Sequence, residues 1–109
     1  MKQLNKVEAL GRMDDAIHKR MTVQRQVIRR RIEKEVKYSS GKGRGGSLIE
    51  FLVRNQTTLK ILQDEELRLR TAPYSFDCYL VQDGLLNNNP ACAVHTMVIT
   101  WDDSFLLEI

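Results

Sequence analysis

Along the first third of the chain, apolar side chains recur at helical steps. Leu10, Met13, Ile17, Met21, Ile28, Ile32 and Val36 are separated by three, four or seven residues, with Gln24 in the skipped place. Such spacing lines one face of an α-helix, because about 3.6 residues complete a turn. Asn5 followed by Glu8 reads as a capping box, and Asp14 and Asp15 lie early, where the helix dipole favours acid. The pattern predicts a helix over 6–37, roughly 48 Å long at 1.5 Å per residue. A helix of that length outreaches any globule the remaining residues can build, so it projects or pairs with a second copy. Its mean apolar step, about 3.7, favours straight or slightly right-handed packing.

The next segment, SSGKGRGG from Ser39 to Gly46, has four glycines in eight residues and no apolar anchor. It reads as a flexible basic linker. Ser47 to Glu50 is Ser-Leu-Ile-Glu, a second capping box ahead of Phe51, Leu52 and Val53, and it predicts a short helix over about 47–55. Thr57, Thr58, Leu59 and Ile61, then Leu67-Arg68-Leu69-Arg70-Thr71, predict two strands joined by the polar turn QDEE. The alternative is a helix continued to Arg70 through Leu59, Leu62 and Leu67. Phe76, Cys78 and Leu80 alternate with Asp77, Tyr79 and Val81 in a further strand ended by Asp83-Gly84. LLNNNP has the composition of a loop tip, and Ala93 to Trp101 is β-branched and aromatic enough for a long strand. After a turn at Asp102-Asp103, SFLLEI is expected to close the sheet. The chain thus divides into a basic amphipathic helix extension over 1–38, a Gly-rich linker over 39–46 and an α+β domain over 47–109.

Charge sharpens that division. Residues 1–45 carry 13 Lys+Arg against 5 Asp+Glu, and residues 46–109 carry 4 against 9, so +8 and −5 combine to the net +3. A basic arm joined to an acidic body suits a polyanion or an acidic surface. Between 18 and 37 there are eight Lys+Arg and two acids. Arg29, Arg30, Arg31 and Lys34, with Lys42 and Arg44 in the linker, are the candidate phosphate contacts, since guanidinium forks and ammonium groups both suit phosphate oxygens. The plainer reading is a solvated helix face balanced by Glu33 and Glu35.

Other chemistry is sparse. No apolar run approaches the ~18 residues of a membrane span, and the first residues lack a secretory hydrophobic stretch, so the expected setting is soluble, intracellular and cytoplasmic. Cys78 and Cys92 lie 14 apart with no Cys-x-x-Cys, and read as small buried side chains. There is no nucleophile turn, no His-Glu-x-x-His, no zinc spacing and no phosphate-cradling glycine loop. The carboxylate pairs fall at a helix start or in turns, and His18 and His95 are the only imidazoles. Catalysis, metal and cofactor are therefore not expected.

The segment LIEFLVRNQTTLKILQDEELRLRTAPYSFDCYLVQD, from Leu48 to Asp83, resembles the Hfq branch of the Sm-like RNA-binding family, with the Ser-Phe-Asp-x-aromatic signature at Ser75 to Tyr79. VITWDDSFLLEI resembles that family's closing strand pair, so that the resemblance extends over about 62 residues. It implies a short helix followed by a five-stranded antiparallel small barrel that forms rings by pairing strand edges. It also implies that Tyr79 stacks on a base, that His95 is the neighbouring donor, and that Arg54 remains from a basic rim. The expected function is that of a non-enzymatic, RNA-binding homo-oligomer whose arm contacts phosphate. A helix-mediated assembly or adaptor protein is the second reading, and a DNA-binding regulator is the third.

Overall fold

The long helix begins where its cap places it. In the computed structural model, which describes the backbone of residues 5–86 and 89–103 and the side chains of 5–83 and 93–103, α1 runs Lys6–Gly41. Asn5 Oδ1 accepts the Glu8 N–H at 2.8 Å, which satisfies one of the orphan donors of the first turn. Thirty-six residues make a rod of roughly 54 Å.

The helix extends past Lys37 and takes Ser39 to Gly41 into its last turn, so the expected linker contracts to a tight bend over 42–45. The bend is closed by Lys42 N–H donating to Tyr38 O and Ser39 O at 3.1 Å and by Arg44 N–H donating to Ser39 O at 3.0 Å. Gly43 sits at φ 77, a conformation that glycine adopts without steric cost. Gly45 O accepts from Trp101 N–H and Asp102 N–H, tying the bend to the end of the last strand. A glycine-rich composition here serves a reversal of the chain.

Two expectations along the body are overturned. The helix expected over 47–55 is a strand, β1, Gly46–Val53. Ser47, Ile49, Phe51 and Val53 are buried while Leu48, Glu50 and Leu52 are exposed, the period-two burial of a strand with one covered face. A Ser-x-x-Glu match is short-range and gives way to that alternation. Conversely, the strands expected around QDEE are one helix, α2, Gln56–Arg70. Its buried positions Thr58, Ile61, Leu62, Glu65 and Leu69, at steps of three, one, three and four, line one side of a helix, and Asn55 caps it by accepting the Thr58 N–H at 2.8 Å. The Leu67-Arg68-Leu69 alternation misleads because Leu67 is 65% exposed and Leu69 is buried.

β2, Asp77–Leu86, and β3, Asn89–Thr100, complete the fold. β2 passes through Asp83-Gly84, where a strand end was expected, with a register shift between Gln82 and Gly84. Strand pairing, with a second register shift between Leu85 and Leu86, also takes in the described part of the expected loop tip 85–90. The sheet is three-stranded with order β1-β3-β2, and both pairings are antiparallel. The five-stranded Sm-like barrel is therefore not the architecture: the described strands form an open sheet, and helix α2 occupies the chain where the barrel's first strand pair should lie. The expected closing strand at 104–109 lies outside the described residues.

The core lies on one face of this sheet. Ile49, Phe51, Val53, Cys78, Met97 and Ile99 meet Ile28 and Ile32 of α1 and Ile61, Leu62 and Leu69 of α2. The molecule measures 65 × 36 × 20 Å with a radius of gyration of 17.8 Å. A compact chain of this length has a radius of about 13 Å, so one element must extend well beyond the body.

Candidate functional site

That element is the first half of α1. The bend at 42–45 folds α1 back along β1, and eight residues of strand span about 26 Å. About 17 residues of helix cover the same length, which reaches back from Gly41 to about Gln24. There Gln24 Nε2 donates to Thr58 Oγ1 at 2.7 Å, at the start of α2. Ile17, Arg20 and Met21 line a shallow cleft with Asn55 and Thr57, and residues before them run past the body. Along this arm the apolar stripe stays uncovered: Val7, Leu10, Met13 and Ile17 are all exposed, Leu10 at 45% and Met13 at 49%.

The docked half, residues 24–41, differs in what its charges do. Arg25 Nη2 lies 3.2 Å from Asp64 Oδ2, and Arg29 Nη2 lies 2.6 Å from Glu65 Oε1. Glu65 is 1% exposed and also accepts Arg68 Nε at 2.7 Å from within α2, so one buried carboxylate meets two guanidinium groups, of which Arg29 holds α1 to α2. A charge removed from water this way requires such partners. The Glu65 hydrogen bonds hold the Arg29 pKa above its ordinary value. Arg31 lies over the Phe51 ring at 4.7 Å from its centroid. The charge contrast between the two parts of the chain is thus partly neutralised within one molecule.

Of the residues expected to bind RNA, Arg29 is a structural clamp and Arg31 packs on an aromatic ring. Lys42 lies over the Tyr38 ring at 5.6 Å, at the bend. Arg30, Lys34, Arg44 and Arg54 are exposed and have no ion-pair partner among the described residues. At about 100° per residue, Arg12, Lys19, Arg30 and Lys37 fall within roughly 20° of one another on the side of α1 turned away from α2, with Lys34 beside them. This outward basic row is assembled from Arg30 and Lys34, which the sequence singled out as phosphate contacts, and from Arg12, Lys19 and Lys37, which it did not.

Tyr79 and His95 are not brought together. Tyr79 pairs with Val98 and His95 with Gln82 and Phe51, and alternate residues of a strand point to opposite faces. His95 is therefore on the helix-covered face, buried, with Nδ1 lacking a hydrogen-bond partner among the described residues. Tyr79 is 45% exposed on the other face. An aromatic and a donor on opposite sides of a sheet cannot share one nucleobase.

That other face is a surface the sequence reading missed. Its cross-strand rows are Leu48, Val98 and Tyr79; then Glu50, Thr96 and Val81; then Leu52, Val94 and the backbone of Gly84. Leu48 and Leu52 are exposed, as are Tyr79 and Val81, while Val98 and Thr100 of the central strand are buried, and neither α1 nor α2 covers this face. Its charges are acidic: Asp77 stands at one end of β2, Glu50 on β1, and Asp83 accepts the Thr96 hydroxyl. Little in the sequence signals it, because 48–53 reads Leu-Ile-Glu-Phe-Leu-Val, apolar on both faces but for Glu50, behind an apparent capping box.

Among the described residues, no group of three His, Cys, Asp or Glu side chains is placed to hold a metal ion, and no helix is long and apolar enough to cross a membrane. No family model, curated protein or solved structure matches this chain.

Proposed function

We propose that this chain is a non-enzymatic assembly protein whose copies join through the projecting half of α1. One observation carries the reading: an apolar stripe of Val7, Leu10 and Met13, continued by Ile17 at the edge of the body, is exposed along a helical arm that no other described part of the chain covers. An isolated helix of about 15 residues is marginal in water, and its stability in proteins comes chiefly from packing of its apolar face. An exposed stripe on such a segment marks a protein–protein contact. The body supports the same reading, because a small single-sided core of this kind gains stability from association.

The test is the mass of the full chain in solution after nuclease treatment, compared with the double variant Leu10→Asp/Ile17→Asp. Association of the wild type and a single-copy mass of 12.6 kDa for the variant support the reading. A wild type that stays at 12.6 kDa at every concentration rejects it.

A second reading rests on the outward basic row. Arg12, Lys19, Arg30, Lys34 and Lys37 lie along one side of a straight helix and are free to meet the phosphates of RNA, or of DNA through its backbone. Binding of this type weakens with salt by about 0.7 log units per log unit of salt for each phosphate neutralised on a single strand. A salt-independent affinity for single-stranded RNA rejects it. Both readings hold together if assembly lines up the rows of several copies.

A further inference from the structure

We infer that the acceptor for the projecting arm is the uncovered face of the sheet on a second copy of this chain, a proposal that rests on the assembly reading above. The arm cannot reach that face in its own molecule. Residues 24–41 hold α1 against the opposite side of the sheet, through Ile28, Ile32 and the Arg29–Glu65 pair. An unbroken helix carries the arm straight onward from there.

The two surfaces match in length, character and charge. From the level of Asp77 to that of Gly84 the face spans four rows, about 20 Å. The arm from Lys6 to Arg20 spans about 21 Å. Three strands at about 4.8 Å spacing form a surface wide enough to seat one helix. The arm offers Leu10, Met13 and Ile17 to Leu48, Leu52 and Tyr79, all of them exposed in the single chain. Lys6 and Arg20 stand at the two ends of one margin of the stripe, and Asp77 and Asp83 stand about 20 Å apart along the β2 edge of the face. No Lys or Arg lies on the face among the described residues.

Symmetric pairing of two arms fits less well. Asp14 lies beside the stripe, and an antiparallel pair centred on Met13 to Ile17 brings it within about 3 Å, along the axis, of the Asp14 of the other copy. A sheet with apolar residues on both faces and, among the described residues, helices on only one is completed by a helix on the other, which is how layered folds bury both sides of a sheet.

Two variants in the full-length chain separate the possibilities. Leu10→Asp/Ile17→Asp disables the arm, and Leu52→Lys/Tyr79→Lys disables the face; all four positions are exposed, so both variants retain the wild-type circular dichroism and unfolding midpoint. Each alone is expected to stay at single-copy mass. Mixed in equal amounts they are expected to form a complex of twice that mass, because the intact arm of one fits the intact face of the other. If the arm variant is a single copy while the face variant assembles as the wild type does, the face is not the acceptor and the assembly reading survives. If both are single copies and the mixture remains so, arm-to-face docking is likewise rejected. If the arm variant assembles like the wild type, the assembly reading itself fails.

Discussion

Residues 24–41 and residues 6–20 belong to one unbroken helix with one continuous apolar stripe, yet the two halves live in different surroundings. In the first, Ile28 and Ile32 are buried, Arg25 and Arg29 reach the carboxylates of Asp64 and Glu65, and Gln24 binds Thr58. In the second, Leu10, Met13 and Ile17 face solvent and no ion pair to the body forms among the described residues. Helical periodicity states which side of a rod is apolar; what covers that side depends on how far the rest of the chain reaches. Here close packing ends near Gln24, with only a shallow cleft beside Ile17, Arg20 and Met21 beyond it, because β1 has eight residues and α2 starts at its end.

Ile32→Ala against Ile17→Ala is the sharpest contrast between the halves. Ile32 is 1% exposed, and removing its buried methylenes costs about 2–5 kcal/mol. Ile17→Ala should change the stability of the single chain by less than about 0.5 kcal/mol. Urea unfolding at low protein concentration reads both, and equal losses would erase the distinction. A smaller difference is expected between neighbouring arginines. Arg29→Ala leaves Glu65 buried with one guanidinium partner, at a cost of about 2 kcal/mol. Arg30→Ala, on the outward row, should lie within about 0.5 kcal/mol of the wild type.

Much of the docked helix was legible in the sequence, and much of the body was not. The stripe and the Asn5 cap give α1 almost to its end, since a long periodic segment repeats its signal many times. β1 and α2 were exchanged because each is short and carries a misleading local feature: Ser47 to Glu50 imitates a helix start, and Leu67-Arg68-Leu69 imitates a strand. Tertiary burial decides both, through Ile49, Phe51 and Val53 on one side of a strand and Ile61, Leu62, Glu65 and Leu69 on one side of a helix. Pairing Tyr79 with His95 required a barrel; in the open sheet their register sends them to opposite faces. The Glu65 clamp had no sequence signal beyond opposite charges in two segments, and nothing in the sequence selects Arg29 over Arg30 without knowing where α2 lies.

The outward row can be tested apart from the core. Lys34→Glu/Lys37→Glu should leave urea stability within about 0.5 kcal/mol of wild type. If those residues meet phosphate, the salt slope for single-stranded RNA should become shallower by about 1.4, twice 0.7. Unchanged slope and affinity would remove them from any nucleic-acid surface.

The gentlest probe is Cys78. Burial pushes its thiol up to about 12, against an ordinary value of 9.0. The folded state therefore keeps this proton after the unfolded state has released it, so stability contributed below pH 9 declines as pH rises from about 9 toward 12. Alkylation mapped to the Cys78 peptide should be slow in the native protein, faster in Ile32→Ala, and unaltered in Leu10→Asp/Ile17→Asp. Faster labelling in the arm variant would mean that the arm supports the core.

Sedimentation equilibrium of the full chain over an about hundredfold range of concentration, beside Leu10→Asp/Ile17→Asp, tests the assembly claim most directly. The wild type is predicted to move from 12.6 kDa toward multiples of that mass, and the variant to remain at 12.6 kDa throughout. Superimposable curves for the two proteins would contradict it.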